Sequence, residues 1–212
     1  MMQHVRRTSR YLALGLLGLA GVAQGAERPP VRRPESVRVQ RGRLDVRCCK
    51  LKKLGSKKLS HIAPTDVVVL DCTENLFENL TPAELHRYVQ LRVLSLQDNP
   101  TLGTRIPGGT FDAMLFQGMR ALETINLQGC NLATIPPECF ADQHGLKRLL
   151  LGNNRLSEWP VIDHCRELRE LDLSNNRLAG TLPDLSMLRQ LEFLDLHNAA
   201  PTGAPDEGGN RV

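Results

Sequence analysis

The sequence predicts an α/β fold of the solenoid type, in which short strands stack side by side along the chain. The first observation is a recurring aliphatic grid, L-x-x-L-x-L-x-x-N-x-L, which residues 168–178 match as LRELDLSNNRL. The second is its spacing, because copies start near residues 67, 91, 122, 146, 168 and 191. The third is composition: 41% of the residues are hydrophobic and only 4% are aromatic, as a core of stacked leucines requires.

Each copy of the grid is expected to contain one short strand followed by a turn that runs inward. Side chains at positions four and six point the same way on a strand, so they pack against the same positions of neighbouring copies. The residue at position nine can hydrogen-bond backbone groups that the turning chain leaves unpaired. One copy cannot bury its apolar face alone, and about three must stack. Position nine is occupied by Asn75, Asn99, Cys130, Asn154 and Asn176.

By this grid the chain resembles the leucine-rich repeat superfamily, and the repeat domain is predicted to cover residues 59–198. The resemblance implies a curved solenoid with short parallel strands on the concave face. It also implies irregular, 3-10 or short helical segments on the convex face, and binding of proteins or, less often, glycans or lipids. Residues 178–183 (LAGTLP) resemble the plant-type variant and residues 135–140 (IPPECF) the animal extracellular variant. The resemblance therefore reaches the superfamily and no single subfamily.

Residues 1–25 have the three parts of a secretory signal peptide. Three arginines lie among residues 6–10, an apolar run covers residues 12–23, and small residues flank the cleavage point at 23–25. The run is shorter than the roughly 20 apolar residues of a membrane span. Export is the favoured interpretation. The alternatives are an organelle transit peptide, because the first acidic residue is Glu27, a twin-arginine signal, or a cytoplasmic chain.

Charge divides the chain into a basic and an acidic part. Residues 1–58 carry a net charge of +12 and residues 59–212 a net charge of −8. Residues 26–58 combine their charge with prolines and are expected to form a basic linker, with a glycan-, lipid- or nucleic-acid-binding arm as the alternative. No aromatic residues lie among the basic ones, so nucleic acid is not an expected partner. Residues 46–62 could instead form a strand that covers the end of the solenoid, where secreted members often carry a four-cysteine cap.

A short helix is expected after the first copy of the grid, which starts at residue 67. Thr81 is a suitable N-cap, Pro82 suits the first helical position and Glu84 completes a capping box, so the helix should run to about Val89. Residues 79–81 also form an Asn-Leu-Thr sequon. Asn79 is therefore a candidate glycosylation site on an exported chain.

Two segments depart from the regular spacing. The interval from residue 91 to residue 122 is 31 residues long. Its segment 104–119 is expected to be a longer convex turn with Phe111 and Phe116 in the core, and a partner-binding loop is the alternative. Residues 199–212 are rich in Ala, Gly and Pro, which predicts a disordered tail.

No catalytic motif is present in the sequence. It contains no phosphate-binding loop, no G-x-S-x-G elbow and no H-E-x-x-H helix. An enzyme is therefore disfavoured, and no cofactor is expected. Cys139, His144, His164 and Cys165 are spaced C-x4-H-x19-H-C, which matches no compact zinc site, so no metal is expected. A disulfide between Cys139 and Cys165 is an alternative to two buried thiols.

The candidate binding surface is the concave face of the sheet. Grid positions three, five and seven point out of it, because side chains alternate along a strand. On the last strands these positions combine carboxylates with an aromatic ring, which predicts a protein partner with a basic surface, or a glycan. The alternative is that these positions are polar only because they are solvated. The predicted binding residues are Arg148, Glu170, Asp172, Phe193, Asp195 and His197.

These observations favour a non-catalytic, exported recognition module that binds through its concave face. The alternative function is that of an intracellular scaffold or a regulatory subunit of a signalling enzyme. An enzyme with an unfamiliar site ranks below both.

Overall fold

A computed structural model describes residues 37–103, 112–179 and 182–197 of the 212-residue chain. The predicted signal peptide (1–25), the predicted tail (199–212) and Phe111 lie outside the described residues. The fold can therefore be compared with the sequence mainly over the repeats.

The described residues form a single sheet of eight short strands, which neighbour one another in chain order. The first two strands pair antiparallel, and every later pair is parallel. The strands are β1 (Val39–Gln40), β2 (Arg43–Asp45), β3 (Val69–Asp71), β4 (Val93–Ser95), β5 (Thr124–Asn126), β6 (Arg148–Leu150), β7 (Glu170–Asp172) and β8 (Phe193–Asp195).

The leucine at grid position four lies in register across the parallel strands. Leu94 pairs with Ile125, which pairs with Leu149, and the row continues through Leu171 to Leu194. Apart from the last strand, these side chains are buried in one aliphatic core. The predicted leucine-rich repeat solenoid is confirmed, because a single ribbon of aliphatic side chains joins all its parallel strands.

The domain begins earlier than the sequence predicts, because β1 and β2 lie inside residues 26–58, for which the sequence predicts a basic linker. Residues 41–51 follow the grid at positions four, six, nine and eleven, as Leu44, Val46, Cys49 and Leu51. All four side chains are buried. This copy lacks leucine at position one and asparagine at position nine, which explains why it escapes the pattern. The described residues thus contain seven parallel strands rather than six.

The end of the solenoid is covered by this first copy and by the short strand β1. The alternative of a strand within residues 46–62 is wrong, since both strands of this region precede residue 46. Residues 46–62 instead contribute buried apolar side chains, including Leu54, Leu59 and Ile62. They supply the cover that a terminal repeat needs.

The convex side contains the predicted helix and several 3-10 turns. Helix α1 (Pro82–Leu85) has the predicted capping box on Thr81 and Glu84, but it ends four residues before Val89. It stops because the chain turns back toward β4 through hydrogen bonds from Tyr88 N–H to Leu85 O and from Leu91 N–H to Tyr88 O, both 3.0 Å. Phe116 fills the core as predicted and stacks on Phe140, with the two ring centroids 5.9 Å apart.

The asparagines at position nine connect neighbouring repeats through their amide groups. Asn154 donates to Leu127 O, Leu151 O and Gly152 O, and its Oδ1 accepts from the N–H groups of Cys130 and Leu132, at 2.8–3.2 Å. Equivalent bonds are made by Asn75, Asn99 and Asn176. In the same column the Cys130 thiol donates to Leu96 O at 3.0 Å. These bonds pair backbone groups that burial would otherwise leave unsatisfied.

Position eight, just before this column, turns the chain with a left-handed backbone. The φ angle is +55° at Glu74 and Asp98, +64° at Gly129, +56° at Asn153 and +52° at Asn175. Asparagine and glycine adopt this conformation at low cost. The Asn-Asn pairs of the last repeats are therefore one turning residue followed by one buried hydrogen-bonding residue.

Candidate functional site

The concave face near its N-terminal end is closed by ion pairs. Asp71 is 1% exposed and its Oδ2 lies 2.8 Å from Nη2 of Arg43 and 3.5 Å from Nε of Arg47. Thr73 Oγ1 donates to the other carboxylate oxygen at 2.8 Å. Arg47 also pairs with Asp45 at 2.9 Å, which raises the pKa of the Arg47 guanidinium. Each of these concave-face charges has a partner within the chain, so this part of the concave face offers little to an outside ligand.

The middle of the concave face is built from neutral amides. Asn126 Nδ2 donates to Gln97 Oε1 at 3.2 Å, and Gln128 N–H donates to Asn126 Oδ1 at 3.0 Å. The Gln128 side chain then reaches across β6 to Asp172, with Nε2 to Oδ2 at 2.6 Å. Gln128 therefore links the amide row to the predicted acidic residues, and its role depends on a contact between residues 44 positions apart.

Asp172 is held in a pocket of hydrogen-bond donors. Besides Gln128, its carboxylate accepts from Ser174 Oγ at 2.7 Å and Ser174 N–H at 2.9 Å. The space above β6 is open because residue 152 is a glycine: a Cβ there would lie 2.9 Å from both Asp172 oxygens. Asp172 is accordingly buried, and its carboxylate is used by donors within the chain.

The structure brings two other predicted binding residues together as an ion pair. Arg148 Nε donates to Glu170 Oε2 at 2.6 Å, with both side chains half-buried. Of the three carboxylates predicted to form an acidic patch, Glu170 and Asp172 thus have partners inside the chain. Asp195 is the neighbour of Asp172 in register on β8. Its Oδ1 accepts the N–H of His197, two residues further along the chain, at 2.7 Å.

The exposed part of the predicted site lies on β8. Phe193 pairs in register with Glu170 and is 45% exposed, and His197 at the end of the strand is also exposed. We call Phe193, Asp195 and His197 the β8 patch. It combines an aromatic ring and a carboxylate on β8 with an imidazole two residues past its end, beside side chains whose positions are already set by hydrogen bonds.

The cysteine and histidine residues considered for metal binding are separated by burial. Cys139 and Cys165 are buried free thiols, whereas His144 and His164 are exposed with ring centres 6.0 Å apart. Burial raises the pKa of each of these two thiols to about 12. Over the described part of the chain, no group of three or more metal-ligating side chains comes together.

Two further features lie away from the concave face. A cavity of about 390 Å³ is lined by side chains that include Tyr88, Val89 and Arg120, between the chain entering β4 and the chain entering β5. Asn79 is exposed, while the sequon residue Thr81 is occupied by the capping box of α1. No helix among the described residues has the length and apolar character needed to cross a membrane.

Comparison with known proteins places this geometry in a family. The family model for leucine rich repeats matches residues 120–178. Podocan-like protein 1 of Mus musculus is 32% identical over 151 residues, covering 67% of this chain and 26% of that protein. Receptor like protein 22 of Arabidopsis thaliana is 33% identical over 137 residues, covering 63% of this chain and 17% of that protein.

A solved structure shows the same fold. The crystal structure of a TLR13–ssRNA13 complex aligns with a TM-score of 0.62 and 27% identity, covering 74% of this chain and 21% of the TLR13 chain. The chain thus spans about a quarter or less of these three proteins. The register of the aliphatic ribbon, the asparagine column and these matches together show that the chain belongs to the leucine-rich repeat superfamily.

Proposed function

We propose that the chain is an exported, non-catalytic recognition module whose concave face binds a protein with a basic surface. The binding residues are those of the β8 patch, with the Arg148–Glu170 pair at its flank. A general role in molecular interaction follows from membership of the leucine-rich repeat superfamily. The partner and the face are the parts that this proposal adds.

The observation that carries the proposal is the exposure of Phe193 beside Asp195. A half-exposed aromatic ring is a typical anchor at protein interfaces, where aromatic side chains contribute a large share of the binding energy. A neighbouring carboxylate favours a basic partner and disfavours an acidic one. Because Gln128 and Ser174 both donate to the Asp172 carboxylate, the surface beside the patch is set before binding. Such preorganisation lowers the entropic cost of association.

Export is supported by the N-terminal pattern and by the relatives. Residues 1–25 combine a basic start, an apolar run and a small-residue cleavage point. Podocan-like protein 1, to which the chain is similar, is an extracellular matrix protein. Export through a eukaryotic secretory route would also take the sequon at Asn79 through the compartment where glycosylation takes place.

A second candidate function, that of an intracellular scaffold, is favoured by the state of the cysteines. All six are free and buried, and exported domains of this size commonly use disulfides. The solenoid does not need them, however, because its stacked aliphatic ribbon already provides a core. The thiols therefore fit either compartment, and the N-terminal pattern favours export.

The test is affinity capture from the native compartment with two baits. The wild-type chain should retain a protein that a Phe193→Ala/Asp195→Asn double variant fails to retain, and the mature chain should begin near Ala26. Retention of the same protein by both baits would place binding elsewhere. An intact Met1 on the cytosolic chain would support the scaffold instead. If a glycan rather than a protein is lost from the double variant, the face is right and the partner class is wrong.

A further inference from the structure

The first repeat carries a loop in which leucines and lysines face opposite ways. Residues 50–59 read KLKKLGSKKL. The three leucines, Leu51, Leu54 and Leu59, are buried in the core. All five lysines are exposed: Lys50, Lys52, Lys53, Lys57 and Lys58. We call residues 50–59 the lysine loop.

The lysine loop is fixed to the second repeat along its length. Leu76 N–H donates to Leu51 O at 2.9 Å, and Glu78 N–H donates to Lys52 O at 3.2 Å. Gly55 N–H donates to Glu84 Oε1 at 2.9 Å, where a Cβ on Gly55 would also lie 2.9 Å from the same oxygen. The lysines are therefore presented on a defined backbone, so fewer degrees of freedom remain to be lost when a ligand binds.

Most of the charge on this loop is not neutralised within the chain. Lys52 pairs with Glu78 at 2.8 Å. Lys50, Lys53, Lys57 and Lys58 form no ion pair with any described residue. Nearby Glu84 is occupied by Gly55 and by the capping box of α1. Four ammonium groups thus face solvent on the terminal repeat of a domain whose residues 59–212 carry a net charge of −8.

The residues in and around the lysine loop indicate which class of polyanion it can bind. Residues 37–76 contain no Phe, Tyr or Trp, so there is no aromatic platform on which unpaired bases could stack. The loop's leucines are buried, so none is available to enter a lipid surface. What remains is a row of compact, flexible point charges. Such a row fits a linear chain that repeats exposed sulfates and carboxylates along its length.

We propose that the lysine loop binds a sulfated linear polysaccharide, at the opposite end of the sheet from the β8 patch. The choice of polysaccharide rests on the export in the proposed function, because such chains occur outside the cell. The binding itself requires only the loop. A second surface of this kind would hold the module on an extracellular polymer while its concave face engages a protein.

The test compares two variants with equal net charge. One replaces Lys50, Lys53, Lys57 and Lys58 by Gln. The other replaces four exposed arginines of the later repeats by Gln. These arginines form no ion pair with a described residue; they are Arg155, Arg166, Arg177 and Arg189. Affinity of the intact chain for heparin is measured against salt concentration. The lysine variant should bind at least about tenfold more weakly with a smaller salt slope, because fewer counterions are released.

The arginine variant should retain most of the wild-type affinity. Equal loss in both variants would show that only net charge matters and would overturn the proposal. If duplex DNA or anionic vesicles bind the loop as tightly as heparin does, the loop has another ligand. The same conclusion follows if desulfated heparin binds as tightly as heparin. The Phe193→Ala/Asp195→Asn variant should bind heparin like the wild type, so failure of the concave-face proposal would be seen separately.

Discussion

The Asp172 carboxylate occupies space next to Gly152, two residues past the end of β6, that a side chain at residue 152 would otherwise fill. A Cβ at residue 152 would come within 2.9 Å of both carboxylate oxygens of Asp172 and within 2.8 Å of Ser174 Oγ. The absence of a side chain there is what allows Gln128 to reach Asp172 from two strands away. The polar network beside the β8 patch therefore depends on one glycine.

Replacing this glycine should disconnect the network. In Gly152→Ala the methyl group displaces the Asp172 carboxylate and breaks its bond to Gln128, so the free energy of unfolding should fall by about 1 kcal/mol. Urea denaturation measures the change. Gly145→Ala is the matched control, because a Cβ there meets nothing closer than Arg120 O at 3.7 Å. Equal stability of the two variants would show that the glycine is not required.

The asparagine column predicts a larger loss of stability. Asn154→Ala removes an amide that bonds five backbone groups, and several of these would be left buried without partners. The free energy of unfolding should fall by about 3 kcal/mol, from a cost of roughly 1–3 kcal/mol per unsatisfied group. The neighbouring change Asn153→Gly is the control. Its side chain is exposed and its φ of +56° suits glycine, so stability should remain within about 0.5 kcal/mol.

The regular part of the fold could be predicted from sequence because it depends on local spacing. Leucines such as Leu94 and Leu149 repeat at nearly constant intervals, and a strand places them on one face whatever their neighbours are. The first repeat was missed because Arg41 and Cys49 stand where the grid expects leucine and asparagine. Its basic composition is also typical of a linker, whereas its buried side chains are apolar, as in the other repeats.

The details of the candidate site could not be predicted in the same way. The column pattern brought Glu170, Asp172 and Asp195 together correctly as neighbours on adjoining strands. It could not show that Arg148 neutralises Glu170 or that Gln128 and Ser174 bury Asp172, because those contacts depend on rotamers and on the small residue at position 152. The β8 patch thus contains only Asp195 of the three carboxylates in the predicted acidic patch.

The buried thiols should be chemically inert in the folded chain. Burial raises the pKa of Cys130, Cys139 and Cys165 to about 12, and the thiolate is the reactive form. At pH 8 a maleimide reagent should label these residues slowly in the native chain and rapidly in urea, as followed by peptide mass spectrometry. Labelling of Cys130 at the same rate in both conditions would contradict the buried position assigned to it.

The most direct test of the recognition surface is the affinity of the captured partner for single variants of the intact chain. Phe193→Ala should weaken binding by at least about tenfold, corresponding to the loss of roughly 1.4 kcal/mol or more expected for an interface anchor. Val89→Ala, which truncates another exposed apolar side chain away from the concave face, should leave the affinity unchanged. Equal affinities for Phe193→Ala and the wild type would contradict binding through the β8 patch.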